Sequence, residues 1–281
     1  MKELDPQNIT GVVIDQMSST PDPRLREVVD SLIRHLHDFV REVKLTPEEL
    51  SDGLRFLTNV GQTCTDTRQE FVLLSEVMGI ETLVYTIADR LGEEHGTPTS
   101  ILGPFYVSNV PNLNLGASIV GERTPELVFY GQVTDAHQRP LSNASVEIWQ
   151  TDEDGLYDVQ RPEFSESDLR GRFYTNDKGM YYFKSILPLG YSIPMDGPVG
   201  KLVSAQRRHG MRPAHVHYIV NAPGFKSLTT AIYLEDDPYL NSDTVFGVTQ
   251  SLVAAVKEDD RCSPMPGLPT LRFDFQLRSD T

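Results

Sequence analysis

The stretch Arg212-Pro213-Ala214-His215-Val216-His217-Tyr218-Ile219-Val220 decides how this chain is read. After Pro213 it alternates: Val216, Tyr218 and Val220 fall on one face of a strand, and His215, His217 and Ile219 on the other. Val, Tyr and Ile favour strands. Side chains two apart on a strand stand side by side, so His215 and His217 are close enough to hold one ion, and neutral imidazole is the commonest metal ligand. A His-x-His pair is also often no more than two surface or hydrogen-bonded histidines, so the surrounding chain has to decide.

Around this strand the chain reads as short strands and turns. Residues 127–133 form a strand, followed by a turn over 135–140. Ala144, Val146 and Ile148 alternate with Ser145, Glu147 and Trp149, residues 172–175 and 180–183 flank an Asn176-Asp177-Lys178-Gly179 turn, and 228–234 is a further strand. Strands at this spacing, with no helical pattern between them, predict an antiparallel β-sandwich. Residues 244–256 read as a late helix and 271–277 as a final strand.

Upstream of Pro98 the periodicity is helical. Leu25, Val28, Val29, Leu32, Ile33, Leu36, Phe39, Val40 and Val43 predict an amphipathic helix over 22–44. Thr46-Pro47-Glu48-Glu49 is a capping box opening a helix with Leu50, Leu54 and Leu57. A third helix over 67–92 carries Phe71, Leu74, Met78, Leu83, Ile87 and Leu91, with Gly79 as a point of bending. The shift at Gly96-Thr97-Pro98-Thr99 sets a boundary between a helical domain, 1–98, and a sandwich domain, 99–281; the fold class is α+β.

A length of 281 residues suits two domains. The net charge of −15 argues against nucleic acid, whose phosphates need a Lys/Arg surface, and against a polybasic membrane contact. Cys64 and Cys262 make neither a disulfide framework nor a CxxC motif. The start of the chain lacks a basic, apolar leader, and no apolar run approaches the roughly 18 residues of a membrane span, so a cytoplasmic protein is expected.

GxSxG, HExxH, P-loop and GxGxxG motifs are all missing. His35 and His37 lie on a helix and diverge by about 200°. His137 and His209 are the other histidines of the strand-rich part, too few for a copper-zinc dismutase. A two-histidine, one-carboxylate iron site stays open, because acidic residues are plentiful. Tyr157, in Asp152-Glu153-Asp154-Gly155-Leu156-Tyr157-Asp158, and Tyr191, in Leu187-Pro188-Leu189-Gly190-Tyr191-Ser192-Ile193-Pro194, occupy turns of the kind that carry functional groups, although spacing does not single them out among 11 tyrosines.

Those two segments, with Leu102-Gly103-Pro104-Phe105-Tyr106-Val107, Leu169-Arg170-Gly171-Arg172-Phe173 and the His-x-His strand, occur together in one order. In this the chain resembles the intradiol ring-cleavage dioxygenases, which use Fe(III) and O2 to open catechols between the two hydroxyl carbons. The resemblance covers nearly the whole chain. It implies one Fe(III) per subunit held by Tyr157, Tyr191, His215 and His217. It further implies that Tyr191 leaves the metal and takes up a substrate proton, and that Arg212 stabilises negative charge on the ring. Phenolate suits the hard ferric ion, and two phenolates offset two of its three charges.

The segment from Gln69 to Gly79 resembles the hydroxyquinol 1,2-dioxygenase branch, in which an acidic residue on this helix reaches the pocket; Glu76 matches it. The implied pocket comprises Leu73, Glu76, Ile101, Gly103, Pro104, Phe105, Ile193 and Arg212. The implied reaction is hydroxyquinol to 3-hydroxy-cis,cis-muconate, the tautomer of maleylacetate, in aromatic degradation; the alternative is catechol to cis,cis-muconate. The chain departs from the family at Ala231, where relatives carry Gln or His. The resemblance also implies a homodimer through the N-terminal helices, with a phospholipid at that interface.

Overall fold

The computed structural model describes residues 3–65, 68–91, 95–121, 123–161 and 167–280. They form two compact units, one ending at Asn59 and one beginning at Val60.

The first unit is helical. Helix α1 (Ile9–Gln16) was not foreseen from the sequence. Helix α2 (Pro23–Val43) matches the expected amphipathic helix: the Asp22 side chain accepts from the Arg24 and Leu25 amides, Pro23 takes the first position, and left-handed Lys44 ends it. An Asp cap of this kind contributes about 1 kcal/mol. Thr10 Oγ1 lies 2.9 Å from His37 Nδ1, and Arg41 Nε donates to the Pro6 carbonyl at 2.7 Å, tying α1 to α2. Helix α3 (Pro47–Thr63) opens with the expected box: Thr46 N donates to Glu49 Oε2 at 2.9 Å and Glu49 N to Thr46 Oγ1 at 3.2 Å.

In the second unit the expected third helix is two, α4 (Glu70–Val77) and α5 (Ile80–Leu91), bent by 69°. Gly79, at φ +69°, makes the break, in a backbone region that L side chains rarely enter. The expected limits at 67 and 92 lie outside the described residues. No single helix among those residues is long and apolar enough to cross a membrane.

Among the described residues twelve strands follow: β1 (Leu127–Asp135), β2 (Ser145–Gln150), β3 (Arg170–Tyr174), β4 (Met180–Ser185), β5 (Tyr191–Ser192), β6 (Met211–Arg212), β7 (His215–Asn221), β8 (Leu228–Leu234), β9 (Val253–Ala254), β10 (Val256–Lys257), β11 (Thr270–Arg272) and β12 (Phe275–Leu277). Helix α6 (Pro198–Ala205), also unforeseen, sits between β5 and β6. One five-stranded sheet runs β10-β11-β1-β12 with β4 also paired to β1; the other runs β3-β2-β7-β8-β9. Phe129 of β1, Phe183 of β4 and Phe173 of β3 stack at 5.1 and 5.2 Å between centroids, joining the two inner faces. Val146, Ile148, Val216, Tyr218 and Val220 fill the same core, on the face their alternation assigned.

The sheets are mixed, which corrects the antiparallel expectation. β1 pairs with β11 and β12 in parallel, and β8 with β9 in parallel. Parallel pairs need long connections instead of hairpins, and the chain between Leu234 and Val253 is one. The late helix expected over 244–256 does not form. A turn leads to a short 3₁₀ segment, Gln250–Leu252, and then to β9 and β10. Asp243 captures the Val245 and Gly247 amides at 3.3 and 2.9 Å, and Phe246 is left-handed at φ +60°. A side chain that takes these amides competes with the helix that needs them. The last expected strand is likewise two, β11 and β12.

Candidate metal centre

β7 lies between β2 and β8, and the register fixes its neighbours: His215 faces Tyr233, and His217 faces Trp149 on one side and Ala231 on the other. Both histidines are buried and project away from the sandwich core. Their Nε2 atoms are 3.0 Å apart. His215 Nδ1 lies 2.7 Å from the Pro213 carbonyl, which can only accept, so Nδ1 carries the proton and Nε2 keeps its lone pair. The His217 ring is stacked on Trp149 at 4.8 Å and 4°. Its Nδ1 has no partner among the described residues, and buried Ala231 supplies none.

Tyr157 reaches the same point from a turn that is tied down throughout. Asp152 Oδ1 accepts from the Asp154 and Leu156 amides at 2.9 Å, and its Oδ2 from Arg161 Nε at 2.6 Å. Gln160 Oε1 accepts from the Tyr157 amide at 2.9 Å. Buried Arg170 of β3 pairs with Asp158, through Nε at 2.7 Å and through Nη2, and its guanidinium also donates to the Phe105 carbonyl at 3.3 Å. These ties bring Tyr157 Oη within 3.4 Å of His215 Nε2.

Tyr191 arrives on β5, paired with Arg212 of β6. Gly190 is required there, because a Cβ would lie 2.7 Å from the Arg212 carbonyl oxygen. Arg212 Nη1 donates to Tyr191 Oη at 3.2 Å and lies 3.3 Å from His215 Nε2. The two tyrosine rings meet edge to face, 5.5 Å between centroids.

Burial depresses both imidazoles well below their ordinary range, and the Arg212 charge depresses them further, so each is a neutral donor. Burial raises both phenols; at Tyr191 the Arg212 guanidinium offsets part of that rise. Two oxygen and two nitrogen atoms therefore converge in a buried site in which each phenol stays protonated until a cation arrives. The donor set fits a hard trivalent metal. Its two neutral nitrogens stand 3.0 Å apart, close enough to serve one ion. Among the described residues no three His, Cys, Asp or Glu side chains are grouped to hold a metal, so a two-histidine, one-carboxylate set is not formed there.

Beside the cluster is a small open cleft lined by Arg68, Gln69, Glu70, Leu73, Glu76, Pro104, Phe105 and Pro194. Phe105 joins the two regions: it stacks on Tyr157 at 4.7 Å and meets Tyr191 edge-on at 6.2 Å. Of the expected pocket residues, Leu73, Glu76, Pro104 and Phe105 line this cleft. Ile101 and Ile193 are buried outside its lining, Gly103 lies against the His217 ring, and Arg212 belongs to the tyrosine–histidine cluster. Glu76 is 3% exposed, and its Oε1 has no partner among the described residues. Burial pushes its carboxyl up to about 7, against the opposing pull of Arg212.

Several residues at the site escaped the sequence reading. Trp149 and Tyr233 become visible only once β2 and β8 are registered against β7. Arg68 and Asp243 have no local signature at all.

Comparison with known proteins agrees with this arrangement. The family profile described as "Dioxygenase" matches residues 101–279, and that described as "Catechol dioxygenase N terminus" matches 22–96. The chain is 42% identical to a 6-chlorohydroxyquinol 1,2-dioxygenase of Cupriavidus pinatubonensis over 99% of both chains. It is 41% identical to a hydroxyquinol 1,2-dioxygenase of Rhodococcus opacus, over 92% of this chain and 87% of that one. The crystal structure of the hydroxyquinol 1,2-dioxygenase of Pseudomonas putida DLL-E4 superposes with a TM-score of 0.91 at 37% identity, covering 98% of this chain and 99% of that one. The chain belongs to the intradiol ring-cleavage dioxygenases, enzymes for which iron is the usual metal.

Proposed function

We propose that this enzyme opens hydroxyquinol, 1,2,4-trihydroxybenzene, with O2 to give 3-hydroxy-cis,cis-muconate, the tautomer of maleylacetate. The observation that carries the choice of substrate is Glu76: a buried carboxyl with one unpartnered oxygen, lining a cleft that adjoins the tyrosine–histidine cluster. A third ring hydroxyl is the group that would satisfy it, and a site built around such a bond rejects an analogue without the hydroxyl.

Tyr157, Tyr191, His215 and His217 are the residues that would hold one Fe(III) per subunit. Ferric iron held by them would supply Lewis acidity toward the two adjacent hydroxyls of the diol. Tyr191, as the tyrosinate that a bound cation would allow, is the base suited to take up a proton from a substrate hydroxyl, and burial favours the neutral phenol that this leaves. Arg212 presents a fixed cation beside Tyr191, where negative charge on the ring carbon would be stabilised. Phe105 and Leu73 line the cleft with apolar surface that orients the ring and excludes water.

Oxygen uptake on iron-loaded protein, with hydroxyquinol and catechol side by side, tests the reading. A higher kcat/KM for hydroxyquinol supports it. A preference for catechol would replace the product by cis,cis-muconate and remove Glu76 from the pocket. No uptake with either diol would end the ring-cleavage assignment for this site.

The same reading takes 1–98 as the dimerisation domain and 99–281 as the catalytic domain of a cytoplasmic homodimer. Leu25, Val28, Leu32, Leu36 and Phe39 of α2 are exposed in the first unit, and Leu83, Val84 and Ile87 of α5 in the second. Apolar rows of this kind mark interaction surfaces. A monomeric mass in light scattering would remove the dimer, and organic extraction with mass spectrometry tests for the phospholipid.

A further inference from the structure

The anchoring of Arg212 leads beyond that reading while resting on its assignment of Arg212 as the cation beside the ring. A guanidinium has five N–H donors in a rigid fork, so the partners of two nitrogens set the aim of the third. Arg212 Nε lies 3.3 Å from Asp243 Oδ1, and Nη2 donates to Tyr233 Oη at 3.2 Å. Only Nη1 faces Tyr191 and His215.

The two anchors are themselves held. Asp243 accepts from the Val245 and Gly247 amides. Tyr233 Oη lies 3.4 Å from Ser100 Oγ, which donates to the Gly247 carbonyl at 3.3 Å. The contacts close into a ring, Ser100–Tyr233–Arg212–Asp243–Gly247, through four separate stretches of chain. It leaves no space: a Cβ at Gly247 would lie 2.6 Å from Tyr233 Oη and 3.3 Å from Arg212 Nη2.

We propose that Asp243 and Tyr233 are positioning residues that lock the Arg212 fork so that Nη1 alone is aimed at the reacting diol. Fold stability does not by itself call for such a ring, since a buried ion pair can be exchanged for apolar side chains at little cost. Direction of the free amino group is what the ring supplies.

The experiment uses iron-loaded full-length protein with hydroxyquinol. Asp243→Asn keeps an acceptor for the turn amides and removes the charge; Tyr233→Phe removes only the hydroxyl. Asp243→Asn should lower kcat about ten- to a hundredfold, short of the loss from deleting a charge-stabilising donor outright, and Tyr233→Phe should lower it severalfold. KM, the visible tyrosinate-to-iron absorption and anaerobic hydroxyquinol binding, read from that absorption, should all stay within twofold of the parent. On an Arg212→Gln background, Asp243→Asn should cost nothing further, as expected of residues acting through one another. The proposal is overturned if Asp243→Asn keeps full kcat, or if its loss multiplies with that of Arg212→Gln. If Arg212→Gln alone leaves kcat intact, the reading of Arg212 itself has failed. Should Asp243→Asn lower the thermal midpoint enough to unfold the protein, Tyr233→Phe decides by the same two criteria.

Discussion

Asp243 and Glu76 are both buried carboxyl groups in the field of Arg212, and they are in opposite conditions. Asp243 has an ion pair with Arg212 and bonds from two backbone amides. Glu76 has an oxygen with no partner, and burial holds its carboxyl near 7. The difference divides the site into two walls. One wall, made of β2, β5, β7, β8 and the turn carrying Tyr157, is tied together by its own hydrogen bonds, with His217 Nδ1 and Trp149 Nε1 the atoms that those bonds leave out. The other, presented by α4, is unfinished. An unpaired buried polar group costs about 1–3 kcal/mol, which a ligand with a matching hydroxyl can recover. Rigid groups suit the chemistry common to all diols, and an unsatisfied group suits the choice among them.

Removing a donor from the closed wall should have the largest effect. Tyr157→Phe keeps the ring that stacks on Phe105 and deletes the oxygen. Loss of an outer hydrogen-bond partner costs a metal site about 10- to 100-fold, so loss of a donor atom should exceed that. The variant should retain little iron by metal analysis, lack the visible band and show no oxygen uptake. Full iron and colour in Tyr157→Phe would break the comparison at its root.

A change in the open wall should act on selectivity instead. Glu76→Leu, with iron content and colour unchanged, should lower kcat/KM for hydroxyquinol relative to catechol by about a thousandfold, below the limit for sites built around one substrate hydroxyl. An unaltered ratio would mean that the diol never reaches Glu76, and the cleft would lose its role in discrimination.

The two walls also differ in how much of them the sequence discloses. The faces of β7 follow from alternation alone, and Thr46–Glu49 capping from four adjacent residues, because both depend on neighbours in the chain. Trp149 against His217 and Tyr233 against His215 depend on strand register, which no local pattern sets. Asp243 was hidden by its own surroundings: Val245, Val248 and Leu252 imitate a helical stripe, while the Asp243 carboxylate and left-handed Phe246 prevent that helix. Tyr157, Tyr191 and Glu76 were singled out through family resemblance, not spacing. Geometry then adds what resemblance lacked: Glu76 is buried with an unpartnered Oε1, and beside Ala231 the His217 Nδ1 finds no polar partner among the described residues.

The smallest effect concerns stability and sharpens the contrast between the two acids. In iron-free protein the Glu76 carboxyl holds its proton up to about 7, against 4.5 for an unperturbed glutamate. Between those values the folded chain binds more protons than the unfolded one, so stability falls as pH rises from 4.5 to about 7 and stays low above it. At about 1.4 kcal/mol per pH unit, the loss is about 3 kcal/mol. Glu76→Gln has no such titration. It should therefore be more stable than the parent at pH 8, by several degrees in thermal midpoint, with that advantage gone at pH 4. Iron loading should shrink the difference, because a nearby cation favours the carboxylate. An advantage independent of pH would show that Glu76 is solvated and that α4 leaves no wall unfinished.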